Sequence, residues 1–339
     1  MTAGRPLRIG LNPYGLTWTV GLQGMGTPRA NPEGTGLEGF LEIATEVGAE
    51  VVVIFSPWLT ELGAEGRRAL RDRLEREGLA VVASASLYGE EVPDVLRNAV
   101  DLGVSTMRLG LSPILCGDRN AYGAARWAER IASIRADLAR LAPAAAEHGI
   151  AVAMENHQDF RSAELMDLAE EAGENVGITL DCGNAFPVAE SPLSFARTVA
   201  PRVHHVHLKD YRVQFTDEGY RLVRCAIGDG AVPFREIVDL LLAQGRPLTA
   251  VLEPGALEAR HVRLFTRDWW RGYPPVDARA LAETLEAARV NLLPEDEDHR
   301  TPWERGAEGD ELLAYEHDMI HRSAANVRAL ALTGRGPTG

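Results

Sequence analysis

Four short stretches of this 339-residue chain carry a polar residue where an apolar run stops. They are AVAMENHQDF from Ala151, VGITLDCGN from Val176, VHHVHLKD from Val203 and LTAVLEPG from Leu248. In an extended segment successive side chains face opposite ways, so Ala151, Ala153, Glu155 and His157 share one face and Val152 and Met154 take the other. The same alternation groups Gly177, Thr179 and Asp181, then Val203, His205, His207 and Lys209, then Thr249, Val251 and Glu253. Glu155, Asp181, His207 and Glu253 together make an oxygen-rich donor set with one nitrogen, which suits Mn²⁺, Mg²⁺, Co²⁺ or Zn²⁺. Carboxylates gathered without a cation repel one another, so one shared divalent ion is expected.

Residues beside this set extend its chemistry. His157 shares the face of Glu155, where it can hydrogen-bond a substrate hydroxyl or act as a base. Lys209 follows His207 on the same face and is placed either for substrate oxygens or for an ion pair with an acid. His205 lies one step deeper and reads as a layer-filling or supporting imidazole. Asn184 and Arg108 are candidate substrate contacts, and Cys182 reads as a small buried residue.

Bringing the four ligands together requires neighbouring parallel strands. Asp181 follows Glu155 by 26 residues, His207 follows Asp181 by 26 and Glu253 follows His207 by 46; a step of ~25 to 35 residues is about one strand-helix unit. Upstream the same rhythm repeats, with strands expected over 7–11, 51–55, 79–86 and 105–111 and helices over 37–47, 65–77, 93–102 and 124–148. Downstream, helices are expected over 163–172, 192–199 and 234–243, and a β-hairpin over 211–225 about Asp217-Glu218-Gly219 accounts for the longer last interval. Eight strand signals separated by helices, with ligands at strand ends, point to an α/β fold, a (β/α)8 TIM barrel over residues 1–255, rather than an open doubly wound sheet. Residues 12–35 form a long Gly- and Pro-rich loop, a lid or binding loop carrying Tyr14, Trp18 and Gln23, with Trp18 the candidate substrate contact. Residues 256–339 leave the repeat as a C-terminal extension, mostly helical over 277–293 and 310–332, after an aromatic turn at RDWWRGYPP.

A net charge of −14 argues against a nucleic-acid partner, which calls for a basic surface. Three widely spaced cysteines with no CxxC pairing indicate neither a disulfide framework nor a thiolate zinc site. The first residues lack a basic start followed by a long apolar run, and no apolar run reaches ~18 residues, so neither export nor a membrane partner is expected. Cytoplasmic localisation follows as the default.

The motifs MENH at Met154, LDCGN at Leu180, HHVHLKD at His204 and LEPG at Leu252 resemble those of the xylose isomerase-like TIM barrels, also called the sugar phosphate isomerase/epimerase family. The resemblance spans residues 8–255. It implies that Glu155, Asp181, His207 and Glu253 bind one divalent ion, most simply Mn²⁺. It also implies that Glu155 and Glu253 face each other across a sugar as proton donor and acceptor. The implied activity is proton abstraction α to a carbonyl of a small carbohydrate, by an isomerase or epimerase. A lyase is the alternative: an oxo-sugar-acid decarboxylase, or the catalytic subunit of a C-glycoside deglycosidase acting on a 3-oxo-glucoside. Ketose 3-epimerases of the family carry an arginine shortly after the metal histidine and end soon after the eighth strand, whereas this chain has Arg212 in another context and a long tail. Long-tailed relatives suggest a homo-oligomer or pairing with a small second subunit, for which Trp269, Trp270 and Tyr273 are candidate contacts.

Overall fold

The structure, a computed structural model, describes residues 6–330. Its strands are β1 (Leu7–Leu11), β2 (Val51–Phe55), β3 (Ala80–Ser86), β4 (Thr106–Gly110), β5 (Ala151–Glu155), β6 (Val176–Asp181), β7 (Val203–Leu208), β8 (Tyr211–Thr216), β9 (Gly219–Arg224), β10 (Leu248–Leu252) and β11 (Arg260–Val262). Eight of these close a parallel barrel in the order β1, β10, β7, β6, β5, β4, β3, β2, and Leu11 opposite Val52 completes the ring. The helices are α1 (Gly36–Glu46), α2 (Ser56–Arg76), α3 (Val92–Leu102), α4 (Arg119–Tyr122), α5 (Ala124–Glu147), α6 (Ser162–Ala172), α7 (Pro192–Val199), α8 (Phe234–Leu242), α9 (Ala278–Ala288) and α10 (Asp310–Ala329). The chain therefore folds as the expected (β/α)8 TIM barrel with a C-terminal helix.

The outward face of each barrel strand is apolar because helices cover it, while the inward face mixes small and apolar residues with the polar side chains of the site. Outward residues such as Val152, Met154, Ile178, Leu180 and Val206 join the main core with the buried faces of the helices. In α3, for example, Val95, Ala99 and Leu102 recur at helical spacing and are buried, and Gly103, at φ 72°, ends the helix in the left-handed region. Val51, Val53, Val82 and Val251 form a separate buried cluster facing inward. Gly10 belongs to that interior, where a Cβ would lie 1.6 Å from the Val51 carbonyl oxygen, so no side chain fits.

Three local departures from the expected pattern have physical causes. Helix α2 begins at Ser56, well before residue 65, because Ser56-Pro57 starts a first helical segment that Gly63, at φ 64°, separates from the second. Helix α9 stops at Ala288 rather than 293, since Asn291 turns at φ 53° and the Leu293 N–H then donates to the Val213 carbonyl, 2.8 Å away. Between β6 and β7 the register shifts, with Ile178 opposite Val203 but Thr179 opposite His205. His204 is the extra residue, so Val203 takes the outward face of Ile178 instead of joining His205 and His207.

Strands β8 and β9 form the expected hairpin, and β11 from the extension adds to β9, making a three-stranded antiparallel sheet. Helix α10 returns to the barrel and adds Ile320, Ala324 and Val327 to the core; residues 331 and 332, expected to continue it, lie outside the described residues. The loop over residues 12–35 is held down by the buried Glu316 of α10, whose carboxylate accepts hydrogen bonds from the backbone N–H groups of Trp18 and Thr19 at 3.0 and 2.9 Å and from both Thr17 and Thr19 hydroxyls. Among the described residues no helix is long and apolar enough to cross a membrane.

Candidate metal centre

Strand register brings the four expected ligands to one end of the barrel. Asp181 stands opposite His207 on β6 and β7, Glu155 ends β5, and Glu253 follows β10, its N–H donating to the Leu208 carbonyl at 3.0 Å. One donor atom from each of Glu155, Asp181, His207 and Glu253 lies within 4.8 Å of the others, and all four residues are buried. Ligand bonds to a divalent ion run to ~2.0–2.6 Å, so donors on opposite sides of one ion stand ~4–5 Å apart. The separation and the mixed carboxylate and imidazole chemistry thus fit a single divalent cation.

The cluster is internally compensated. His207 Nδ1 lies 3.0 Å from Glu155 Oε1 and 2.8 Å from Glu253 Oε2. Arg108 ion-pairs with Glu155, and the Lys209 ammonium ion-pairs with Asp181 and, at 2.7 Å, with Glu253. Burial alone would lower the Lys209 pKa, but Asp181 and Glu253 outweigh it and raise it, so this buried ammonium stays charged. Burial would raise the Glu253 carboxyl, yet Lys209 and His207 hold it well below its ordinary range. Asp181 also accepts from Asn184 Nδ2 at 2.7 Å and from the N–H groups of Gly183 and Asn184 at 3.1 and 3.2 Å.

Above the cluster is a cavity of about 280 Å³. His157, Arg108, Lys209, His207 and Glu253 line it together with hydroxyls of Tyr14, Ser84, Ser86, Tyr88 and Tyr211. His157 Nδ1 is buried without a hydrogen-bond partner, and burial, reinforced by Arg108 and Lys209, pushes its pKa well below the usual histidine value, leaving a neutral imidazole. A larger cleft of about 790 Å³ opens between β9 and α10 but holds none of the four ligands. The candidate donor set stands at the smaller one.

Two expected substrate contacts do not reach the cavity. Trp18 packs instead against Trp303, with ring centroids 5.8 Å apart, in a satellite cluster with Leu257 and Leu312. Leu257, Trp303 and Leu312, all from the extension, bury the indole ring there. Asn184 is fully buried beneath Asp181 and steadies it rather than lining the cavity. Lys209 pairs with Asp181 and Glu253, whereas its neighbour Asp210 accepts from the N–H groups of Tyr211, Gly228, Gly230 and Val232. His205 sits below His207 with Nδ1 2.7 Å from Thr249 Oγ1. Trp269, Trp270 and Tyr273 stack on one another and donate to the carbonyls of Cys116, Leu264 and Gly117. They act as internal packing.

Ser84, Ser86, Tyr88, Gln158, Glu258 and Arg260 also line the cavity and escaped the sequence reading. Only Gln158 had a local signal, its place in the stretch after Glu155; it turns at φ 69° and its Oε1 accepts from the Cys116 N–H at 2.9 Å.

The profile of the xylose isomerase-like TIM barrel family matches residues 41–269, and the chain belongs to that family. The uncharacterized protein YihM of Escherichia coli (strain K12) is 28% identical over 110 residues, 32% of this chain and 34% of that protein. Inosose dehydratase of Klebsiella pneumoniae (strain 342) is 30% identical over 146 residues, 38% of this chain and 48% of that protein. The chain thus spans about a third and about half the length of these curated relatives. Among solved structures, D-psicose 3-epimerase with D-tagatose from Clostridium cellulolyticum H10 superposes with a TM-score of 0.56 at 14% identity, over 96% of this chain and 99% of that one. At that identity the likeness is one of fold.

Proposed function

We propose that this chain is a divalent-metal-dependent enzyme that removes the proton α to the carbonyl of a keto- or oxo-sugar, acting as a sugar isomerase or epimerase. The observation that carries the reading is the meeting of Glu155, Asp181, His207 and Glu253 within 4.8 Å beneath a hydroxyl-lined cavity. A divalent ion held there, taken here as Mn²⁺, would polarise the substrate carbonyl and stabilise negative charge on its oxygen.

The chain's own residues then move the proton. A carboxylate, Glu155 or Glu253, takes the proton from the α-carbon; the C–H pair becomes the carbon-carbon π bond of an enediolate as the carbonyl π pair shifts to oxygen. Arg108 and Lys209 fix the orientation of those glutamates, and the unpartnered Nδ1 of His157 is available to hydrogen-bond a substrate hydroxyl or to relay a proton. Return of the proton to the opposite face of the same carbon gives an epimer, and return to the adjacent carbon gives an isomer.

The likeness to inosose dehydratase supports a second reading in which the same enediolate expels a β-hydroxyl, which takes a proton from the protonated glutamate and leaves as water, making the protein a lyase. A cavity of about 280 Å³, at the small end of the ~300–1,000 Å³ common for ligand sites, favours a monosaccharide over a bulky C-glycoside. The test is to incubate the Mn²⁺-loaded full chain in D₂O with a panel of ketoses and 3-oxo-sugars and follow the α-carbon by NMR. Deuterium uptake is expected, with the product separating epimerase, isomerase and lyase. No uptake from any member while the ion is bound would overturn the reading.

A further inference from the structure

The charged side chains around the cavity are engaged, with one exception. Glu155 has Arg108, and Asp181 and Glu253 share Lys209. Glu258 accepts from Gln23 Nε2 at 2.7 Å. The half-buried guanidinium of Arg260, which lines the same cavity, has neither a carboxylate within ion-pairing distance nor a hydrogen-bond acceptor among the described residues. Its position is built rather than incidental, because Arg260 opens β11 and pairs with Leu222 of β9, a strand interaction that carries the residue to the barrel mouth. Its positive field is felt at His157 and Tyr211 across the cavity.

Charge balance points the same way. Glu155, Asp181, Glu253 and Glu258 supply four formal negative charges against three positive ones from Arg108, Lys209 and Arg260. His207 ligates a metal only as neutral imidazole. A divalent ion therefore turns a deficit of one charge into a surplus of one, and among the described residues the cavity's one cation without a partner is the one nearest solvent. A planar guanidinium with five fixed N–H donors matches the two oxygens of a carboxylate or phosphate, and such charge-assisted pairs are stronger than hydrogen bonds to a neutral sugar hydroxyl.

We propose that Arg260 receives an acidic group of the substrate, so that the sugar acted on is an anionic one, carrying a carboxylate or a phosphate at the end remote from its carbonyl. The inference rests on the reading of the cavity as a sugar site and narrows the class of sugar. It gives the segment beyond the eighth barrel strand a role in specificity.

The test compares three probes differing only at the terminal carbon: D-fructose, D-fructuronate and D-fructose 6-phosphate. Each is titrated calorimetrically into the Mn²⁺-loaded full chain, as wild type, Arg260→Gln and Arg260→Lys, with circular dichroism confirming that the variants fold. At least one acidic probe should bind the wild type about ten-fold or more tighter than fructose. That ratio should fall to near one in Arg260→Gln and recover in part in Arg260→Lys. Which acidic probe is preferred tells carboxylate from phosphate. Equal binding of all three probes, failure of both acids to bind, or an acid preference that survives Arg260→Gln would each overturn the inference. Deuterium exchange on the same samples separates the two readings, since an Arg260-dependent acid preference without exchange retains the anion site and removes the proposed enolisation, while exchange without such a preference does the reverse.

Discussion

Asn156 and Asp181 exchange two hydrogen bonds across the ends of β5 and β6. The Asn156 side-chain Nδ2 donates to the Asp181 carbonyl at 2.9 Å, and the Asp181 N–H donates to Asn156 Oδ1 at 2.7 Å. A side-chain amide thus continues the ladder one step beyond the last backbone pairs and fixes the peptide that carries Asp181, a proposed metal ligand. Both residues are fully buried. Replacing Asn156 by Ala would strand two buried backbone groups, at about 1–3 kcal/mol for each. The variant should melt earlier and bind Mn²⁺ roughly 10- to 100-fold more weakly. Isothermal titration checks this; unchanged affinity in a folded variant would show that the clamp does not position Asp181.

Lys209 makes the site tolerable without a cation, because its ammonium lies between Asp181 and Glu253. Removing one partner of a buried ion pair costs about 3–5 kcal/mol, so Lys209→Met should destabilise the metal-free protein strongly. A bound divalent ion would take over part of the neutralisation, and at 100 times its Kd it adds about 2.7 kcal/mol to any folded state that binds it. The rise in Tm on adding Mn²⁺ should therefore be larger in Lys209→Met than in the wild type. Calorimetry with and without EDTA decides, and equal rises would mean that lysine and metal act on the carboxylates independently.

The two glutamates are expected to be separable from metal retention. Glu155→Gln and Glu253→Gln each keep an oxygen donor and remove a proton acceptor. Loss of a positioned general base lowers rates by about 10²–10⁴-fold. Deuterium exchange should fall by that order in at least one variant, while atomic absorption still finds the ion. Full exchange in both would remove them from proton transfer.

How far the site was legible follows from the kind of information each residue carries. The convergence of Glu155, Asp181, His207 and Glu253 could be read because strand parity and even spacing are local properties that a barrel converts directly into proximity. The insertion of His204 in β7 leaves no trace in composition, which is why Val203 changed faces. Ser84 and Ser86 lie in ASAS, where small residues on both faces hide the alternation. Arg260 reaches the cavity only because β11 pairs with β9, a non-local contact with no periodic signature. Trp18 looked like a ligand-facing aromatic in a loop, and only the arrival of Trp303 from the far end of the chain made it core.

Asp159 supplies a pH dependence apart from the metal cluster. Its carboxylate is fully buried, accepting from Ser112 Oγ at 2.7 Å and from the Phe160 N–H at 3.0 Å. Burial raises its pKa from 3.8 to about 6, against the opposing pull of Ser112 and Arg119. Between those two values the folded protein keeps a proton that the unfolded chain has released, so this residue makes stability fall as pH rises through the window and contributes no further slope above it. A displacement of about two pKa units corresponds to a loss on the order of 3 kcal/mol. Urea unfolding of wild type and Asp159→Asn at pH 4, 5, 6 and 7 measures it as a difference, which cancels the other titrating groups. The wild type should lose stability relative to the variant from pH 4 to 6 and run parallel to it beyond, whereas parallel curves throughout would place the Asp159 pKa near its unfolded value.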